Sequence, residues 1–177
     1  KLNLETENKD LSFDALKGQA STEWNRRLNT VQLDLARPGE LEKLPQAKLT
    51  TAKTNLTKFY TALYRVFSGP TVYSDVNGDY RSMKQAVPFP AADTVPARTT
   101  ENVSNANYTF KLDGKDAGYK THYSGFSMWD TYRSQAQLVA LVAPGEASDM
   151  MQSLVADAKQ CGALPHWVDG SDDTIPM

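Results

Sequence analysis

Apolar side chains at Phe13, Leu16, Ala20, Trp24, Leu28 and Val31 recur at steps of three and four behind Ser12, which predicts a long amphipathic helix with that serine as its cap. Residues 36–46 hold Pro38, Gly39 and Pro45 and read as a connection. The helical spacing resumes at Leu49, Ala52, Leu56, Phe59, Leu63 and Val66 and stops at Gly69 and Pro70. From 71 to 125 the periodicity is lost, and short strands with long ordered loops are expected. Asn77-Gly78, between TVYSDV and DYRSM, has the composition of a hairpin turn, and Asp113-Gly114 after YTFKL is a second turn candidate. Residues 88–100 carry Pro88, Pro90 and Pro96 and are expected to be extended. Such a long irregular stretch is either functional or a linker, and its aromatic content favours order. Helical patterns return at about 127–142 and 147–161, separated by Pro144-Gly145 and closed by Gly162, as in an αα-hairpin. Within the first, LVALV (138–142) is apolar all round, the mark of a helix buried on every side, such as an inner helix of a two-layer helical barrel. The pattern is mainly α with an irregular, β-containing insertion.

The 177 residues are enough for one domain that buries roughly 70% of its unfolded surface. With 19 Lys and Arg against 21 Asp and Glu, the formal charge is −2, and the chain lacks the positive field that a phosphate backbone demands. No nucleic-acid partner is expected, and no apolar run reaches the length of a membrane span. The one cysteine, Cys161, excludes an internal disulfide and any multi-cysteine zinc site. The first residue is not Met and the last ones close on no helix end, so the chain is expected to be cut from a longer polypeptide.

The densest chemical cluster is GFSMWDTYR. A continuous helix from 127 would put Trp129 and Arg133 one turn apart, with Asp130 and Arg133 as i,i+3 neighbours, so that ring, carboxylate and guanidinium share one side. An indole plate beside an acceptor and a fork of donors suits a polyhydroxylated ligand: the ring supports the C–H face of a sugar and the charged groups take its hydroxyls. The structural reading is as good. Ser127-x-x-Asp130 is a capping-box pattern in which Asp130 ties off the helix, Arg133 pairs with it and Trp129 packs inward. A second cluster, LPHWVDGSDD (164–173), offers Trp167 either as a second ring on a pocket rim or as a buried loop residue. Asp172-Asp173 are adjacent carboxylates, which does not make them face one bond. Asp75-x-Asn77-Gly78-Asp79 resembles the opening of a calcium loop without its terminal Glu, and a turn is the better reading. His122 and His166 lie too far apart for a local zinc motif. No phosphate loop or nucleophile elbow is present. Asn55, Asn102 and Asn107 begin glycosylation sequons.

Through FYTALYRVF (59–67), PTVYSDVNGDYR (70–81), YSGFSMWDTYRSQAQLVALVAP (123–144) and ASDMMQSLV followed by GALPHW, the chain resembles glycoside hydrolase family 92, the exo-acting α-mannosidases, over nearly its whole length from the first helix on. The family's proteins are much longer: an N-terminal β-sandwich, linker helices, then an (α/α)6 barrel with calcium in the active site and inversion at the anomeric carbon. The resemblance implies that residues 1–46 are a linker helix and connection, and that 47–177 are the N-terminal part of the barrel, with the insertion at about 71–125. It implies that Asp130 contacts the terminal mannose, that Trp129 and Arg133 shape its pocket, and that Trp167 lies near the same mouth. The general acid, the general base and the calcium ligands are expected outside this chain, which is therefore expected to be inactive alone and to expose inner helix faces. The implied partners are a mannose-containing glycan, with α-1,2 among the linkages considered, and the sandwich and remaining barrel of the same protein. The implied location is secreted, periplasmic or at the cell surface. The alternatives are a non-catalytic carbohydrate-binding or interaction module, and a structural helical domain in which the cluster is only a cap.

Overall fold

Ser12 caps as its position predicts: its hydroxyl accepts the Ala15 N–H at 3.3 Å, and helix α2 runs from Phe13 to Leu28. The computed structural model describes residues 2–9, 12–83, 99–105, 111–112, 115–116 and 119–173. The Asp113-Gly114 turn, most of the proline-rich stretch at 88–100 and the Asn107 sequon lie outside the described residues. The chain divides into two compact units, Lys1–Ser68 and Gly69–Met177.

The first unit is helical: α1 (Leu2–Glu7), α2, a short 3-10 turn at Asp34–Ala36 and α3 (Gln46–Val66). α2 stops at Leu28, short of the expected Val31, because Asn29 caps it and the Val31 carbonyl instead accepts the Tyr60 hydroxyl at 3.2 Å. The seam between α2 and α3 is aromatic, with Trp24 4.3 Å from Tyr64 and Arg27 above the Phe67 ring. Ala52 and Leu63 of α3 are buried, whereas Phe13 and Leu16 of α2 are exposed.

The second unit sets short strands against an αα-hairpin. β1 (Thr71–Val72) pairs antiparallel with β6 (Tyr123–Ser124), β2 (Asp79–Arg81) with β3 (Thr100–Asn102), and β4 (Lys111–Leu112) with β5 (Lys115–Asp116). β7 (Phe126–Ser127), β8 (Trp167–Asp169) and β9 (Asp172–Asp173) form a three-stranded sheet in that order. Helices α4 (Met128–Thr131), α5 (Gln135–Val142) and α6 (Pro144–Cys161) complete the unit. Asn77-Gly78 does turn the chain, since Asp75 N–H donates to the Asp79 carbonyl at 2.7 Å, but the strands on either side of it find other partners. The expected local hairpin is thus replaced by two long-range pairings. Gly78 is required there: its φ is +86°, and a Cβ would come within 2.6 Å of a Val103 methyl.

The helix expected at 127–142 is broken. The Gln137 side-chain amide takes the Tyr132 carbonyl at 2.6 Å, an acceptor that a continuous helix would offer to its own backbone, and the chain restarts at Gln135. α6 begins at Pro144, in the first-turn position that proline favours, and ends at Gly162 with φ +88° as the sequence predicts. The expectation of an all-buried LVALV helix is corrected: Val139 is enclosed against α6, while Leu141 on the opposite face is 80% exposed.

Candidate functional site

The site is assembled by a strand switch. β6 leaves its pairing with β1 at Gly125, whose φ of +78° lets the next two residues turn into a different sheet. β7 then pairs with β8 in a register that sets Ser127 opposite Trp167 and Phe126 opposite Val168. Met128 N–H donates to the His166 carbonyl at 3.4 Å, and α4 starts from that point. Two clusters some forty residues apart in sequence thereby share one edge.

On that edge the indole of Trp129 is 62% exposed, and Asp130 is also exposed. The Asp130 carboxylate accepts the Ser127 hydroxyl and has no other partner among the described residues. Ser127 makes no side-chain bond to the backbone at the helix start, so the expected capping box is replaced by a bond between the two side chains. Arg133 falls in the break between α4 and α5. Its Nε donates to the Tyr132 hydroxyl at 2.9 Å and its guanidinium lies over that ring, so the i,i+3 partnership with Asp130 does not form. Trp167, half-buried, is held by its own loop: the Asp173 carboxylate accepts the N–H groups of both His166 and Trp167, at 3.1 and 3.0 Å. Asp173 is thereby spoken for, and the adjacent pair Asp172-Asp173 is a hairpin device. The arrangement offers a sugar an aromatic face and a carboxylate with open acceptor positions.

On the other side of α4 lies an apolar groove of about 260 Å³, lined by Met128, Tyr132, Val139 and Met150 among others and by none of the four residues singled out from sequence. In the calcium-loop-like stretch, Asn77 and Asn102 each donate to the Asp79 carboxylate at 2.6 Å. Among the described residues no three His, Cys, Asp or Glu come together as a metal site would need.

Sequence reasoning missed the polar interior beneath this edge. His122 is 1% exposed; its Nε2 lies 3.3 Å from Asp157, its Nδ1 takes the Tyr119 hydroxyl, and its ring stacks on Tyr80 at 3.8 Å. Burial pushes the Tyr119 hydroxyl well above its ordinary range. It raises the carboxyls of Asp157 and Asp149 too, against the hydrogen bond from His122 in the first case and those from Lys120 and Thr121 backbone in the second. The signal in the sequence was the polar recurrence Asp149, Ser153, Asp157, Gln160 along one helical face.

The family model for the glycosyl hydrolase family 92 catalytic domain matches residues 1–177. Curated proteins give no match. Among solved structures, the family GH92 alpha-mannosidase BT3965 from Bacteroides thetaiotaomicron superposes with a TM-score of 0.65 at 22% identity, and its complex with mannoimidazole with 0.63 at 22%. Both superpositions cover 99% of this chain and 18% of the solved one, so the chain spans under a fifth of that protein's length. At this identity the likeness is one of fold.

Proposed function

The chain belongs to glycosyl hydrolase family 92, and from that premise we propose that it supplies the sugar-holding edge of an exo-acting α-mannosidase. Asp130 accepts hydroxyls of the terminal mannose, Trp129 supports its apolar face, and Trp167 and Arg133 border the pocket. One observation carries the reading: the Ser127–Trp167 register brings both tryptophans to one edge with an Asp130 that is exposed and not consumed as a helix cap.

Residues 47–177 are proposed as the first part of an (α/α)6 barrel and 1–46 as its linker. Hydrolysis with inversion needs an acid on the leaving oxygen and a base on a water across the ring, about 6.5–9.5 Å apart. Those groups are assigned to chain outside this stretch. The resemblance also implies calcium; among the described residues no three His, Cys, Asp or Glu come together, and the ligands of the ion are proposed to lie outside this stretch. α-1,2-Linked mannose in a glycan is the proposed substrate, and the proposed location is secreted, periplasmic or cell-surface. No helix among the described residues is long and apolar enough to cross a membrane.

The test is Asp130→Ala in the longer protein that carries the acid and the base, assayed for mannose release from a simple α-mannoside alongside thermal unfolding. A charged acceptor lost from a sugar contact is worth about 1.5–3 kcal/mol, hence a fall in kcat/KM on the order of 10–100-fold, with Tm unchanged. A lower Tm with kcat/KM kept would return Asp130 to the role of a cap. Mannoside binding without hydrolysis in the parent would favour the non-catalytic module.

A further inference from the structure

The largest fully buried side chains among the described residues are His122, Gln152, Asp157 and Ser153, all polar. Enclosing such groups is costly unless they are paired, and here one face of α6 does the pairing. Asp149 Oδ1 accepts Lys120 N–H at 3.3 Å, Ser153 Oγ accepts Tyr123 N–H at 2.9 Å, and Asp157 Oδ1 meets His122 Nε2 at 3.3 Å. Gln160 accepts Met83 N–H at 2.7 Å and donates to the Tyr80 hydroxyl at 2.9 Å. Strands of two or three residues cannot satisfy their flanking backbone through ladders, and this helix face stands in for the missing sheet. The segment it grips, 119–124, runs through Gly125 straight into β7 and α4.

We propose that the polar face of α6, centred on the Tyr119–His122–Asp157 chain of hydrogen bonds, is the positioning element of the site, fixing the strand that presents Trp129 and Asp130. The proposal rests on the mannoside reading above. With Nε2–H directed at Asp157, Nδ1 accepts from Tyr119, so the imidazole is held at both nitrogens, stacked on one face, and bonded through its own backbone: its N–H to Ser74 Oγ at 3.1 Å, and its carbonyl to Tyr73 and Ser74 N–H at 2.8 and 3.1 Å. Apolar side chains of equal volume would fill this space at no desolvation cost, yet would remove the two directional side-chain bonds and leave the strand held by its backbone bonds and Ser153 alone.

The experiment compares the protein with the double variant His122→Phe/Asp157→Leu, and with Asp157→Leu and Asp157→Asn alone. All are made in the longer protein that carries the acid and the base, with 5-fluorotryptophan incorporated throughout and the resonances of Trp24, Trp129 and Trp167 assigned by single Trp→Phe variants, Trp24 serving as the control in the other unit. Removing both partners leaves no buried charge, so the double variant is expected to keep its Tm within a few degrees while kcat on an α-mannoside falls tenfold or more and the fluorine resonances of Trp129 and Trp167 shift or split. A double variant with parental Tm, kcat and fluorine spectrum would overturn the proposal. Should the double variant not fold, the single variants decide: Asp157→Asn, which keeps an acceptor for His122, must hold the parental spectrum where Asp157→Leu loses it, and identical spectra overturn the proposal. If the parent itself releases no mannose, the mannoside reading fails, and the fluorine spectra still decide whether α6 positions this edge.

Discussion

Asp157 is 2% exposed, with one oxygen on His122 and the other without a partner among the described residues. Burial raises its carboxyl above the usual range, opposed by the hydrogen bond from His122. The folded form therefore keeps the proton to a higher pH than the unfolded chain, where Asp ionises near about 3.9. The contribution of this group to stability is complete below that value and is lost as pH rises through the raised folded value. Asp157→Asn cannot ionise and escapes the loss, so its Tm advantage over the parent is expected to be smaller at pH 4 than at pH 7. Thermal unfolding at the two pH values checks this, and an advantage that shrinks with rising pH would mean that the His122 pairing outweighs burial. At this scale Asp130 and Trp129 could be picked out from sequence because an indole, an acid and a possible cap fell within four residues. Their surroundings could not, since Arg133 turns to Tyr132 only because the helix breaks between them.

Among the elements, helices follow local spacing and strands do not. α2, α3 and α6 lie close to where three- and four-residue periodicity puts them, and the caps at Ser12 and Gly162 are local hydrogen-bonding and φ requirements. The turn at Asn77-Gly78 was legible for the same reason, but the partners of its strands were set by residues up to some fifty positions away. α6 is the element whose role is least apparent from its pattern, because its inward face carries Asp149, Ser153 and Asp157 where an amphipathic reading expects apolar groups. Ser153→Ala removes the hydroxyl that accepts the buried Tyr123 N–H and should cost about 1–3 kcal/mol in denaturant unfolding, far more than an alanine at the exposed Ser21 of α2. A cost below about 0.5 kcal/mol would show that the backbone finds another partner at once.

For the molecule as a whole, the chain spans 18% of a solved family member's length and leaves Leu141 and Trp129 open, which supports the proposal that it is one portion of a larger catalytic fold. Expressed alone, the 177 residues are expected to release no mannose from an α-mannoside above the buffer blank, and detectable turnover would require an acid and a base within this stretch. The sequence by itself determined helices α2, α3 and α6, the caps at Ser12 and Gly162 and the chemical character of the WDTYR and LPHW clusters, because these depend on neighbours a turn or two away and on the nature of each side chain. Only the tertiary structure decided that β7 and β8 bring those clusters to one edge, that Asp130 bonds a side chain instead of capping, and that a polar helix face holds the strand beneath them. Such pairings join residues thirty to eighty positions apart, and which distant group satisfies a buried N–H or carboxylate is settled by packing in three dimensions, which no local periodicity encodes.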